Sequence, residues 1–354
     1  MKKKIKVKIY GAGSIGNHLA YAARRKKWDV TLCDIDANAL NRTKEEIFPS
    51  RYGKFDENIK LFDLKKDEEP IGGFDWIFVG TPPNTHMEIA LKSLDEEPRG
   101  IMVEKPLCTP KLEFTKEIKK KLLGKKTKIF VGYDHAVSKS VNYFKSKAKK
   151  LTNIKYLDVS FREHWKGIFD AHFWLNGPED SYLGFWEKGG GSLGEHSHAL
   201  NLWQSIAKFL NQGKIVKVSS QFKFKKNNLV NYDEIAMLNL ETETGFVGNV
   251  IQDVVTYPPQ KCMRLQAENE ALEWSCIAKP YSDNVKIING TTKTIKFKKS
   301  RSDDFYCELD HLEEVIDHNC DSPISFQNGF ETMLIIKAAH ESYKTGKVVN
   351  VDYT

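Results

Sequence analysis

The chain has 354 residues, of which 40% are hydrophobic; this exceeds the roughly 250–300 residues at which one core stops growing, so two domains are expected. Its formal charge of +7 sits largely in short lysine runs with little arginine and no nucleic-acid motif, which reads as solvated helix faces and at most hints at an anionic substrate. Six cysteines without a C-x-x-C pair argue against a disulfide framework or zinc site and for a reducing cytoplasm, and no apolar run reaches the ~18 residues of a membrane span.

The first predicted strand contains the alternating Ile5, Val7 and Ile9 and runs into Gly-Ala-Gly-Ser-Ile-Gly at residues 11 to 16, before a helix through Asn17 to Arg25. Gly11 suits the tight turn, Gly13 lets backbone approach a pyrophosphate, and Gly16 lets helix and strand pack closely. Ser14 and Ile15 open the helix and offer N–H groups to phosphate. The second strand, Asp29 to Asp34, ends on an acid at the offset expected of a ribose-binding carboxylate. Asp34 therefore predicts NAD in preference to NADP, whose 2′-phosphate it would repel, with Asp36 as a nearby competitor for the role.

Further predicted strands are Phe74 to Gly80, Ile101 to Glu104 and Ile129 to Gly132. In a doubly wound sheet ligands bind at the carboxyl ends of the strands, which places Thr81, Pro82, Asn84 and His86 beside the cofactor. The same rule brings Glu104 and Lys105 to that edge, and Tyr133, Asp134 and His135 to the mouth of the last strand. An amphipathic helix is expected around Ile118 to Leu123.

Beyond residue 136, strand-like runs occupy Lys155 to Phe161, Val216 to Phe224, Ile235 to Leu240, Phe246 to Val255 and Met263 to Ala267. Gly245 and Gly290 suggest hairpins. Helices are expected over Phe305 to Ile316 and Met333 to Tyr343, the latter ended by Gly346. An aromatic-rich connection from His164 to Trp186 is long enough to be functional; His164 and Trp165, at a strand end, are its preferred substrate contacts.

The segment from Gly189 to Asn201, Gly-Gly-Gly-Ser-Leu-Gly-Glu-His-Ser-His-Ala-Leu-Asn, reads as a glycine turn followed by a helix. On one continuous helix Glu195, His198 and Asn201 share a face, whereas His196 and His198 diverge, so no metal is expected. Were this a strand, the two histidines would share a face and a metal would return to consideration.

Four features in order, the glycine loop, Thr-Pro-Pro-Asn-Thr-His, Glu-Lys-Pro and the triple glycine with its downstream histidine, resemble the Gfo/Idh/MocA family of glucose-fructose oxidoreductase and inositol dehydrogenase type. The resemblance implies an α/β chain: a Rossmann NAD-binding domain over residues 1–135, then a substrate and oligomerisation domain over 136–354 built on a large, mainly antiparallel sheet. It also implies a homodimer or homotetramer. The expected activity is hydride transfer between nicotinamide and a hydroxyl or keto carbon of a sugar, sugar acid, cyclitol or nucleotide-sugar, with no nucleic-acid or membrane partner.

Lys105 and His198 are the expected catalytic groups, one polarising the substrate oxygen and the other exchanging its proton, with Glu195 as orienter or sugar ligand and His135 also on the substrate side. Family members commonly carry aspartate where Glu195 stands, four residues before the histidine rather than three, and arginine where Ala136 stands. An NAD-dependent glycoside hydrolase and a non-catalytic dinucleotide and sugar sensor are the alternative readings.

Overall fold

The computed structural model describes residues 4–277 and 281–354. Its internal contacts separate two compact units, one comprising Met1–Cys108, Leu112–Gly132 and Ser302–Phe326, the other Thr109–Lys111, Tyr133–Arg301 and Gln327–Thr354.

The first unit is built on six parallel strands, β1 (Lys6–Tyr10), β2 (Asp29–Asp34), β3 (Ile59–Asp63), β4 (Trp76–Val79), β5 (Gly100–Val103) and β6 (Lys128–Val131), in the order β3-β2-β1-β4-β5-β6. Every residue of β4 and β5 is buried, which explains their unbroken apolar sequences in a sheet covered on both faces. The order reverses between β1 and β4, so the carboxyl ends of these two strands flank the crevice where such sheets take ligands.

Helix α1 (Ser14–Arg25) follows β1, α2 (Ala37–Arg42) and α3 (Phe48–Tyr52) follow β2, α4 (Pro83–Ser93) follows β4, and α5 (Thr115–Leu122) follows β5. Strand β3 and the π-helical turn Thr43–Ile47 have no counterpart in the sequence reading. Lys8 departs from the apolar pattern of β1: it is fully buried, its ammonium donating to Pro70 O at 2.9 Å and to the Glu96 carboxylate. These partners offset the cost of burying the charge.

The second unit carries a nine-stranded sheet. Its strands are β7 (Ile154–Arg162), β8 (Ile215–Lys226), β9 (Asn231–Thr242), β10 (Val247–Asp253), β11 (Gln260–Ala267), β12 (Ala271–Ile277), β13 (Ser282–Asn289), β14 (Thr291–Lys298) and β15 (Val349–Asn350). Their order is β14-β13-β12-β11-β7-β10-β9-β8-β15, and only β7 and β10 pair in parallel. The five strand-like runs of the sequence correspond to β7–β11, while β12–β14 extend the sheet beyond them. Gly245 and Gly290 turn between antiparallel neighbours with φ of +81° and +74°, a region L side chains avoid.

Helices α6 (Lys139–Ala148), α7 (Trp165–Asp170), α8 (Gly191–Glu195), α9 (Ser197–Phe209) and α11 (Phe326–Thr345) belong to this unit, apart from the first residue of α11. Trp203 of α9 is fully buried and its indole N–H donates to Leu157 O of β7 at 2.7 Å. It lies over Gly248 of β10, where a Cβ would come within 2.9 Å of its ring nitrogen. Helix α10 (Arg301–His318) has a divided allegiance: its first residue counts with the second unit and the remainder with the first. There Phe305 stacks on His18 at 4.8 Å between ring centroids, and Arg25 pairs with Asp303 at 2.8 Å.

Candidate active site

The glycine loop has the geometry of a phosphate cradle. Gly11 has φ +97° and a Cβ there would lie 2.6 Å from Gly80 O, while one at Gly16 would lie 1.8 Å from Gly11 O. Both glycines are therefore needed for backbone packing. Gly13, by contrast, has open space where a Cβ would stand and precedes α1 with no side-chain cap and no acid in the first turn. The N-terminal N–H groups of Ser14 and Ile15 consequently adjoin space that an anion fits, with the helix dipole favouring it. Arg51 donates to Ser14 Oγ at 3.0 Å and adds positive charge there. Asp34 accepts from the Ala12 N–H at 2.6 Å and the Asp36 N–H at 2.8 Å, which fixes its carboxylate at the end of β2. These residues fit NAD.

At the end of β4, Thr85 Oγ donates to Thr81 Oγ at 2.7 Å, Pro82 precedes α4, and Asn84 is exposed. His86 lies differently from a ligand contact. It is fully buried, Nε2 standing 2.6 Å from Thr81 O and Nδ1 3.0 Å from Pro106 O. Burial lowers its pKa to about 4 despite these carbonyls, and a neutral ring, with one N–H, donates to only one of the two. Next to Pro106, Lys105 is half-buried. The carboxylate of Glu104 is buried over Gly132, where a Cβ would come within 2.6 Å of Glu104 Oε1.

In the second unit the predicted continuous helix is broken. Helix α8 ends at Glu195, His196 takes φ −98° and ψ 23°, and α9 starts at Ser197. The Glu195-His198-Asn201 stripe is accordingly split: Glu195 ends one helix, and Asn201 is buried, donating to Thr332 Oγ at 3.3 Å. The first turn of α8 is tied to β9 by Asp233, which accepts from Ser192 Oγ and Leu193 N, each at 2.7 Å. Burial raises the Asp233 pKa to about 6 despite these donors.

His198 lies beside residues remote in sequence. Its Nδ1 is 3.6 Å from Asp134 Oδ1, and Asp134 Oδ2 accepts from Arg301 Nη1 at 2.9 Å. His135 is an edge-on neighbour of His198 at 5.1 Å between centroids, and Tyr133 another at 5.5 Å. Burial by itself would push the Asp134 carboxyl up; the positive fields of His135, Arg301 and His198 hold it well below the usual carboxylate range. Sequence reasoning placed Tyr133, Asp134 and His135 at a strand mouth but assigned Asp134 and Arg301 no role, since neither has a local motif.

Asp134, His135 and His198 bring their ligand atoms within 4.8 Å of one another, a metal-sized grouping distinct from the sequence-adjacent His196 and His198. The guanidinium already on Asp134 competes with a cation there. The aromatic connection also differs from its expected role. His164 caps α7 by accepting from Lys166 N at 3.0 Å, while Trp165 is buried in a core cluster with Ile168, Leu183, Val230, Tyr232 and Val254.

A parallel sheet with a glycine cradle and a strand-end acid, together with a large mixed sheet, defines a two-unit dinucleotide-binding α/β protein. Residues 5–133 match the Gfo/Idh/MocA family, described as "Oxidoreductase family, NAD-binding Rossmann fold"; this stretch is an NAD-binding domain of that family. Solved structures share the whole fold. An oxidoreductase from Agrobacterium radiobacter, in complex with NAD+, L-tartaric acid and magnesium, is 14% identical, with 99% of each chain covered and a TM-score of 0.75. The WlbA dehydrogenase from Bordetella pertussis, in complex with NADH and UDP-GlcNAcA, is 17% identical over 99% of this chain and 100% of its own, with a TM-score of 0.71. A levoglucosan dehydrogenase bound to NADH and levoglucosan is 16% identical over the same shares, with a TM-score of 0.73. No curated protein matches the chain in sequence. Among the described residues no helix is long and apolar enough to cross a membrane.

Proposed function

We propose that the protein is an NAD-dependent dehydrogenase acting on a hydroxyl or keto carbon of a sugar, sugar acid, cyclitol or nucleotide-sugar. The observation that carries this reading is the imidazole of His198 set 3.6 Å from the buried Asp134 carboxylate, an arrangement suited to proton exchange. The carbohydrate class is supported by the fold shared with dehydrogenases bound to UDP-GlcNAcA and levoglucosan.

In the oxidative direction His198 takes the proton of the substrate hydroxyl. Lys105 is the proposed polarising group, its ammonium offsetting negative charge on the substrate oxygen. NAD, when bound, supplies the hydride acceptor. Asp34 holds the adenosine ribose, the α1 N-terminus holds the pyrophosphate, and Glu195 binds a further substrate hydroxyl. His86 contributes by keeping the Thr81 and Pro106 backbones in place.

A screen of polyols, sugars, sugar acids and nucleotide-sugars, followed by absorbance of reduced nicotinamide, should find at least one substrate. Lys105→Met and His198→Ala should each lower its turnover by about 10²–10⁴-fold. Turnover equal to wild type in both variants would refute the assignment of roles. Cleavage of an aryl glycoside without net cofactor reduction would replace the dehydrogenase by a glycoside hydrolase, and ligand binding with no turnover of any kind would leave a sensor. The same reading includes a homodimer or homotetramer. Met237 and Val247, 44% and 47% exposed, stand on one face of β9 and β10, opposite the face that Trp203 covers.

A further inference from the structure

We infer that Asp134 is the positioning residue of His198 and that Arg301 sets how strongly it acts, so that proton exchange at His198 depends on a carboxylate from a different part of the chain. This rests on the proposed role of His198.

Asp134 and His135 lie on a short 3-10 turn, Asp134–Val137, whose residues are all buried. The turn is held locally: His135 N–H donates to Asp134 Oδ1 at 2.7 Å, and the buried Lys145 ammonium donates to Ala136 O at 3.2 Å. Asp134 cannot easily swing away, because Arg301 holds its other oxygen at 2.9 Å.

A carboxylate on the Nδ1 side of an imidazole favours the tautomer protonated at Nδ1 and leaves the Nε2 lone pair to accept a proton; it then stabilises the resulting imidazolium. His198 presents Nδ1 to Asp134 Oδ1 at 3.6 Å, an ion-pair separation longer than a hydrogen bond. Its ring orientation is further confined by Tyr133, His135 and Phe161, with centroid distances of 5.5, 5.1 and 6.5 Å.

Among the described residues, the charged and titratable groups facing Asp134 come from three places: His135 on its own turn, His198 on α9 and Arg301 at the start of α10. Arg301 and His198 therefore draw on one negative charge. Removing the carboxylate must make His198 harder to protonate, and removing the guanidinium must make it easier. These opposite signs separate positioning from mere packing, since a general loosening of the turn would move both variants alike. Glu195 ends the preceding helix, and the carboxylate 3.6 Å from His198 Nδ1 is that of Asp134.

The test is an NMR titration of histidine-selectively labelled full-length protein, with His198→Gln identifying the resonance. Asp134→Asn should lower the His198 pKa by about 1–3 units, the usual effect of losing an opposite charge at this range. Arg301→Met should raise it, and Asp134→Glu should restore much of the wild-type value. With an identified substrate, the rising limb of the kcat/KM profile should shift in the same directions. An unchanged His198 pKa in natively folded Asp134→Asn would overturn the inference. If that variant does not fold, a fall or no change in Arg301→Met would overturn it equally. Stoichiometric Zn2+ binding to wild type, abolished by Asp134→Asn, would make these residues metal ligands and also refute it. Failure of the wild type to turn over any substrate would sink the dehydrogenase reading, yet the titration would still decide the Asp134 role.

Discussion

Replacing Asp233 by asparagine should flatten a specific part of the stability profile. The carboxyl is buried between β9 and the first turn of α8, and burial raises its pKa from 3.8 to about 6. Because the folded state holds the proton more tightly than the unfolded state, the stabilising contribution of the protonated acid is complete below the unfolded value and lost as pH rises through 6. Linkage puts the cost of ionising this group at about 1.5 kcal/mol near pH 5 and about 3 kcal/mol near pH 7. Asparagine cannot ionise and should show none of this dependence, although it weakens the bonds from Ser192 Oγ and Leu193 N. Urea unfolding of both proteins between about pH 5 and pH 8 measures the difference. The stability of Asp233→Asn relative to wild type should rise by about 1.5 kcal/mol across the window and level off above pH 7. A constant offset would refute the reasoning, showing that the carboxylate is already fully compensated by its donors.

Asp34→Ala should weaken NAD binding by about 10–100-fold, the loss of hydrogen bonds to a charged group, and narrow the preference against NADP. Calorimetric titration with each dinucleotide checks this. Trp165→Ala should cost about 3–5 kcal/mol of stability, because it empties a core position among Leu183, Val230 and Tyr232. Its KM for any identified substrate should stay near wild type, and a large rise in KM with unchanged stability would return Trp165 to the substrate site.

Much of the first unit was legible because its signals are local. A strand, three glycines and an acid at the end of the next strand lie within the opening 34 residues, and each is required by backbone geometry or charge. The Asp29–Asp34 strand has the same limits in sequence and structure. The short β3 was missed, since Ile59–Asp63 has five residues with only Ile59 buried. The core cluster around Trp165 was not legible for another reason: an aromatic at a strand end has one composition whether it faces a ligand or closes a core. His86 shows the same ambiguity, with its two ring nitrogens turned toward backbone carbonyls that no sequence pattern discloses.

The sequence by itself determined the dinucleotide cradle, the parallel sheet that positions it and the strand-rich character of the second unit, because periodicity and glycine placement act over a few neighbouring residues. Only the tertiary structure decided which groups surround His198. Asp134, His198 and Arg301, far apart in the chain, stand within hydrogen-bond or ion-pair distance in space. Charge pairing depends on distance in space, and for residues this far apart in the chain that distance is set by packing rather than by spacing.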